Sequence, residues 1–295
     1  MFLFSAYADE SGSQCKYLER KLPGAVIIGV KKSGTYALLR YLSLNERVRP
    51  ALKENGCNLN EIHFFDSDLN YSFGLEWYKK QMPLVCKKTE EKDYVVIEKT
   101  PGYFRSEKAP ERIKKFDQNM KVILIVRNPV KRLQSELTHC DHRQKKLGLN
   151  RKCLKMNDFF ENVFLNGNQS DLFGNKFVRN SLYYLDLKKW LRLFKINESL
   201  HVVDGDSFIQ RPWLELSKIE IFLNLPNKIQ RDNFIYDEKK NFYCLNETDG
   251  QNCLGKNKGR KEHVYLSQFV KSKLEIFFNK WNFLLFDLIG KNFNW

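Results

Sequence analysis

The sequence predicts an α/β fold: one domain, with a parallel sheet flanked by helices. Three observations predict it: four short apolar runs, helix-spaced segments alternating with them, and a pair of glycines in the loop after the first run. The runs are AVIIGV (25–30), YVVIEKTP (94–101), KVILIVRNP (121–129) and LHVVDGDSF (200–208). Strands covered by helices on both faces read as continuous apolar stretches rather than as alternating ones.

The elements follow in order. Residues 1–21 are polar and patternless, a lead-in to a domain spanning 22–295. After the first run, Ala37, Leu38, Tyr41 and Leu42 recur at helical spacing, so the intervening loop opens a helix. Thr-Pro stops the second run. Pro129 stops the third, and RLQSELTH continues it as a helix. Further helical patterns cover Tyr183 to Phe194, Trp213 to Leu223, and Leu266 to about Leu288. No uncharged apolar window approaches the roughly eighteen residues that a membrane span requires.

Charge bounds the partner. Fifty Lys and Arg against thirty-five Asp and Glu give a net charge of +15, in pairs scattered along the chain such as Lys79-Lys80, Lys114-Lys115 and Lys239-Lys240. A broad basic face implies a polyanionic partner. A 42% hydrophobic, 14% aromatic composition excludes a disordered chain. Nucleic acid is disfavoured, because no recognition helix or aromatic platform motif is present.

Among the seven cysteines, Cys57, Cys86, Cys140 and Cys153 show no zinc spacing. Cys244 and Cys253 bracket the polar loop CLNETDGQNC, which a disulfide could close in an oxidising compartment. Sequons at Asn70, Asn168, Asn197 and Asn246 point the same way, to the secretory pathway. The opening MFLFSA lacks the length and basic flank of a signal peptide, so either the protein is cytosolic or the chain has lost its targeting segment.

In open parallel sheets, ligands bind beyond the carboxyl ends of the strands. That rule selects KKSGT, EKTP, RNP and DGD, and three of the four carry a base, as an anion site would. Gly29 and Gly34 with Thr35 resemble a phosphate loop, but Lys31 and Lys32 precede the second glycine instead of following it. With no clear Mg²⁺-binding aspartate ending a strand, this argues against ATP or GTP hydrolysis. A shorter anionic chain, reached by Lys32 from the front of the loop, fits better.

LPGAVIIGVKKSGTYALLRYL, EIHFFD, GLEWYKKQMP, IEKTPGYF, VILIVRNPVKRLQS and FYCL…NCLGKNKGR occur in order between Leu22 and Trp295. Together they resemble the heparan sulfate glucosamine 3-O-sulfotransferases. The resemblance implies a sulfotransferase fold with a nucleotide-kinase-like donor site and no catalytic metal. The donor it implies is 3′-phosphoadenosine 5′-phosphosulfate (PAPS), with adenosine 3′,5′-bisphosphate as product. It implies heparan sulfate or heparin as acceptor, sulfated at a glucosamine 3-hydroxyl in the Golgi lumen or secretory pathway. Neither nucleic acid nor membrane contact is expected, save through an anchor outside this segment.

By the same resemblance, Lys32 contacts the 5′-phosphosulfate and the amides of Ser33, Gly34, Thr35 and Tyr36 cradle it. Arg127 and Ser135 hold the 3′-phosphate, while Tyr243 and the Lys258-Gly259-Arg260 core complete the nucleotide site behind a Cys244–Cys253 brace. Glu61 is the general base, with a pKa expected to be raised by Phe64, Phe65 and an anionic donor. His63, Asp66, Lys99, Lys31 and His139 belong to the acceptor side, and Lys99 joins Lys32 at the sulfuryl oxygens. Tyr36 stands where the family usually has arginine, His139 where it has glutamine, and Ser33 where it has glycine. The first two departures bear on acceptor grip. N-sulfotransferase activity and heparan binding without catalysis are the competing readings.

Overall fold

The computed structural model describes residues 18–51, 61–86, 94–167, 170–246 and 263–295. Its strands are β1 (Leu18–Arg20), β2 (Ala25–Gly29), β3 (Val48–Pro50), β4 (Leu84–Cys86), β5 (Val95–Lys99), β6 (Lys121–Val126), β7 (Leu200–Asp204), β8 (Phe234–Asp237) and β9 (Phe242–Leu245). Five of them form a parallel sheet in the order β3-β5-β2-β6-β7. The four apolar runs are its four longest strands. β3 was not legible: VRP is three residues long and ends in proline, tolerated at the sheet edge that β3 occupies.

The strands are apolar throughout because both faces are covered. Val26, Ile28, Val122 and Leu124 pack with Tyr103, Trp190 and Phe194 in one buried cluster. Ala25, Ile27, Ile123 and Ile125 pack with Leu38, Leu39, Leu216 and Ile219 in another. A third cluster lies away from the sheet, where helices Pro129–Lys146 and Met156–Asn166 meet the long helix Gln268–Ile289. No helix among the described residues is long and apolar enough to cross a membrane.

Two details depart from the sequence reading. Leu18–Arg20, within the stretch read as a lead-in, is a strand that pairs antiparallel with β4. Cys140 and Cys153 form a disulfide, with Cα atoms 6.1 Å apart. It ties the helix Pro129–Lys146 to the turn at Lys152–Lys155. The sequence offers little sign of it, because the two cysteines lie thirteen positions apart across a helix end and a loop.

Candidate active site

Chain order reverses at β2, whose neighbours β5 and β6 lie on opposite sides, so the loop after β2 opens at the switch point of the sheet. The Ser33 N–H donates to the Val30 carbonyl at 3.0 Å and closes a turn. Gly34, at φ 112°, then starts the helix Thr35–Leu42. That left-handed φ requires glycine here. The helix start carries neither a side-chain cap nor an acid in its first turn, which leaves its N–H groups and positive dipole end to an anion. Ser33 Oγ is buried without a hydrogen-bond partner. An orphaned buried hydroxyl beside uncapped amides suits a phosphate or sulfate oxygen. The loop's positive φ values fall on Lys32 and Gly34, so Ser33 in place of glycine meets no backbone obstacle.

Arg127 follows β6, the neighbour of β2. Its Nε lies 3.6 Å from Asp206 Oδ1, and Lys131 Nζ lies 3.1 Å from the same oxygen. Asp206 Oδ2 accepts the Asn128 N–H at 2.8 Å. Ser135 and His139 are half-buried, four residues apart on one face of the helix Pro129–Lys146. Tyr243 sits in β9; its carbonyl accepts the Tyr41 hydroxyl at 2.8 Å, and its ring stands edge-on to Trp213. Cys244 is disulfide-bonded. Its expected partner Cys253, with Lys258, Gly259 and Arg260, lies outside the described residues.

A cleft of about 310 Å³ opens beside the loop, lined by Lys31, Glu61, His63, Gly102, Arg105 and Asn180 among others. Four charged groups meet there. Lys99 Nζ, at the end of β5 and buried, donates to Glu61 Oε1 at 2.8 Å. His63 Nε2 stands 3.8 Å from Glu61 Oε2, and its Nδ1 is 2.9 Å from Asp66 Oδ2. The His63 ring and the Lys99 ammonium outweigh partial burial and hold the Glu61 carboxyl down to about 2. Asp66 first and Glu61 second push His63 up to about 10, against partial burial, so the ring is an imidazolium.

The raised Glu61 pKa expected from sequence is therefore corrected to a lowered one. Phe64 and Phe65 turn into the core, where Phe64 stacks on Tyr78 at 4.2 Å, and leave Glu61 half-exposed between two cations. Asp66, expected on the acceptor side, pairs with His63. Gly102 makes that pair possible: a Cβ there would lie 2.5 Å from Asp66 Oδ2 and 3.1 Å from His63 Cε1.

A Sulfotransferase domain is matched over residues 22–281. The chain is 38% identical to mouse (Mus musculus) and 39% identical to human (Homo sapiens) heparan sulfate glucosamine 3-O-sulfotransferase 5, each across 94% of this chain and 75% of the relative. It is 32% identical to human heparan sulfate glucosamine 3-O-sulfotransferase 3B1 across 99% of this chain and 68% of the relative. The chain belongs to the heparan sulfate glucosamine 3-O-sulfotransferase family. The sulfotransferase fold is seen also in a crystal structure from Alicyclobacillus acidocaldarius. That match has TM-score 0.61 at 18% identity and covers 92% of this chain and 97% of the other.

In this sulfotransferase the structure gathers Glu61, His63, Asp66 and Lys99 into one ionic cluster, with Lys31 on the same cleft. Lys31 Nζ lies 3.5 Å from Glu136 Oε1, and Glu136 in turn pairs with the buried Arg132. Sequence reasoning missed Arg105 and Asn180 on the cleft wall, linked side chain to side chain, and Asn180 also reaches Glu136 at 3.1 Å. IEKTPGYF and RNPVKRLQS, already singled out, run through Arg105's neighbours and Arg132. Asn180 had no motif to flag it. The sequons divide as well. Asn70 Nδ2 donates to the carbonyls of Ile62 and His63 and braces the loop that carries Glu61, whereas Asn197 is exposed.

Proposed function

We propose that this chain transfers the sulfuryl group of PAPS to the 3-hydroxyl of a glucosamine residue in heparan sulfate, with Glu61 as general base. The observation that carries the reading is the Glu61–Lys99 pair at the mouth of the cleft, beside an uncapped helix start with an orphaned serine hydroxyl. The name and activity of the relatives support the choice of donor and acceptor.

PAPS would be held by the Ser33–Tyr36 amides, Lys32, Arg127 and Ser135, and would supply an activated sulfuryl group on a phosphate leaving group. Arg127 suits a phosphate because its planar fork makes paired hydrogen bonds. Lys32 offsets charge that develops on the leaving phosphate. Glu61, ionised at any physiological pH, is ready to take the proton of a sugar hydroxyl. Lys99 tunes it: sharing that ammonium with a second anion loosens its hold on Oε1 and raises the proton affinity of the carboxylate. His63, fixed as an imidazolium by Asp66, donates toward the acceptor rather than serving as a second base. The net charge of +15 gathers a polyanionic chain to the cleft. The Cys140–Cys153 disulfide supports an oxidising setting, the Golgi lumen in particular.

The test is sulfate transfer from labelled PAPS to heparan sulfate, followed by disaccharide analysis. New 3-O-sulfated glucosamine supports the reading; label confined to N-sulfate would move the chain to the N-sulfotransferase branch. Heparin binding with no transfer would make it a lectin-like relative.

A further inference from the structure

The loop that carries Glu61 and His63 has no regular secondary structure through His63, yet its side chains must hold position to within a fraction of an ångström to act. Its backbone is held from below. The Ile62 and His63 N–H groups both donate to Thr100 Oγ1, at 3.0 and 3.3 Å. The next amide, Phe64, donates to the Tyr103 hydroxyl at 3.1 Å. Three successive amides therefore rest on two hydroxyls. Thr100 spends its own proton on Glu98 Oε1, at 2.5 Å. Glu98 is fully buried on β5, one residue before Lys99, and the Tyr78 hydroxyl reaches its other oxygen at 3.4 Å.

We propose that Glu98 is a positioning residue: through Thr100 and Tyr103 it orients the Ile62–Phe64 backbone and so aims Glu61 and His63 into the cleft. The assignment rests on Glu61 acting as the base. A hydroxyl has one proton and two lone pairs. If Thr100 gives its proton to Glu98, both lone pairs stay turned toward the loop amides. Without an acceptor at residue 98 the hydroxyl is free to rotate, and one amide loses its partner.

The groups that face Glu98 agree with this. Burial pushes its carboxyl up to about 7; the Thr100 and Tyr103 hydroxyls and the Lys99 ammonium oppose the shift, and Asp66 adds to it. Tyr78, from the helix Gly74–Lys80, closes the remaining side. Near neutral pH a charge thus comes and goes directly beneath the catalytic cluster.

The experiment follows His63 by NMR of ¹³Cε1-labelled histidine, assigned with His63→Gln among the chain's five histidines. Wild type should remain protonated at His63 well above pH 8. Thr100→Val should bring that titration down by at least one pH unit and lower kcat roughly 10- to 100-fold. Its Kd for adenosine 3′,5′-bisphosphate should stay within about twofold of wild type, and Thr100→Ser should restore both kcat and the titration. Glu98→Gln keeps an acceptor at residue 98 and should keep the His63 titration, whereas Glu98→Leu removes it and should lower that titration as Thr100→Val does. An unshifted His63 in Thr100→Val or in Glu98→Leu overturns the proposal. A wild-type protein that transfers no sulfate sinks the base reading instead, and the His63 titration still decides this one.

Discussion

On the side of the cleft where we propose the donor, the loop Val30–Gly34 offers backbone N–H groups at a helix start. On the side where we propose the acceptor, Glu61, His63, Asp66 and Lys99 offer charges carried by side chains. Backbone donors follow from chain geometry alone: a strand, a turn and Gly34 at φ 112° suffice, and the helix needs no capping side chain. Side-chain charges follow from mutual placement. Glu61 is acidic because His63 and Lys99 flank it, and His63 is basic because Asp66 and Glu61 do. One half is built chiefly by the backbone. The other half is an electrostatic assembly in which each group sets the state of the next.

The largest effect that separates the halves is expected from Glu61→Gln. Turnover should fall about 10²- to 10⁴-fold, the span of a lost general base. Nucleotide affinity, measured by calorimetry with adenosine 3′,5′-bisphosphate, should remain near that of wild type. Weakened nucleotide binding would show that the two halves are not separate. Gly102→Ala should come next, since its Cβ would press on Asp66 Oδ2 and the His63 ring. Displacing that pair should cost up to about 10² in kcat, read by sulfate transfer at saturating PAPS. A fully active Gly102→Ala would mean that the His63–Asp66 pair is dispensable.

The same contrast decides what could be read from the chain. Four of the five sheet strands were legible because two-sided burial writes itself as AVIIG, VVIEK, KVILIV and LHVVD, and the loop was legible because glycine spacing encodes backbone shape. The members of the ionic cluster could be named from the resemblance, but their protonation could not. Phe64 and Phe65 suggested an apolar bed for Glu61, and only the fold shows those rings turned inward and Lys99 turned toward the carboxylate. Glu98 and Thr100 stood inside a quoted motif, IEKTPGYF, without drawing notice. A buried acid in a strand has no local signature, and its partners on the 61–66 loop lie 38 and 37 residues away from Thr100.

Arg127→Ala probes the donor half. Losing a charge-assisted pair to the 3′-phosphate is worth roughly 1.5 kcal/mol, or about tenfold. The change should appear in the KM for PAPS while kcat at saturation is little altered. A normal KM would remove Arg127 from the nucleotide site and leave its side chain to the pairing with Asp206.

The smallest effect is the stability that the acceptor cluster contributes, and pH separates it from everything else. His63 is raised in the folded protein, so its pairing stabilises fully below the unfolded value of 6.5 and is lost as pH climbs toward about 10. Glu98 is also raised, but a carboxyl has the opposite proton logic. Its protonated form favours the fold, stability falls between about 4.5 and 7, and nothing further is lost above that. Tyr78 and Tyr103 titrate well above 10 and Tyr183 near 12. The window from about pH 7.5 to 10 therefore belongs to His63. Denaturant midpoints across that window should decline in wild type and stay flatter in His63→Gln. Both His63 and Glu61 are nearly half exposed, so solvent screening keeps the difference below about 1 kcal/mol. Parallel slopes in the two proteins would mean that the ring is not held as an imidazolium, and the contrast between a backbone-built half and a charge-built half would lose its firmest support.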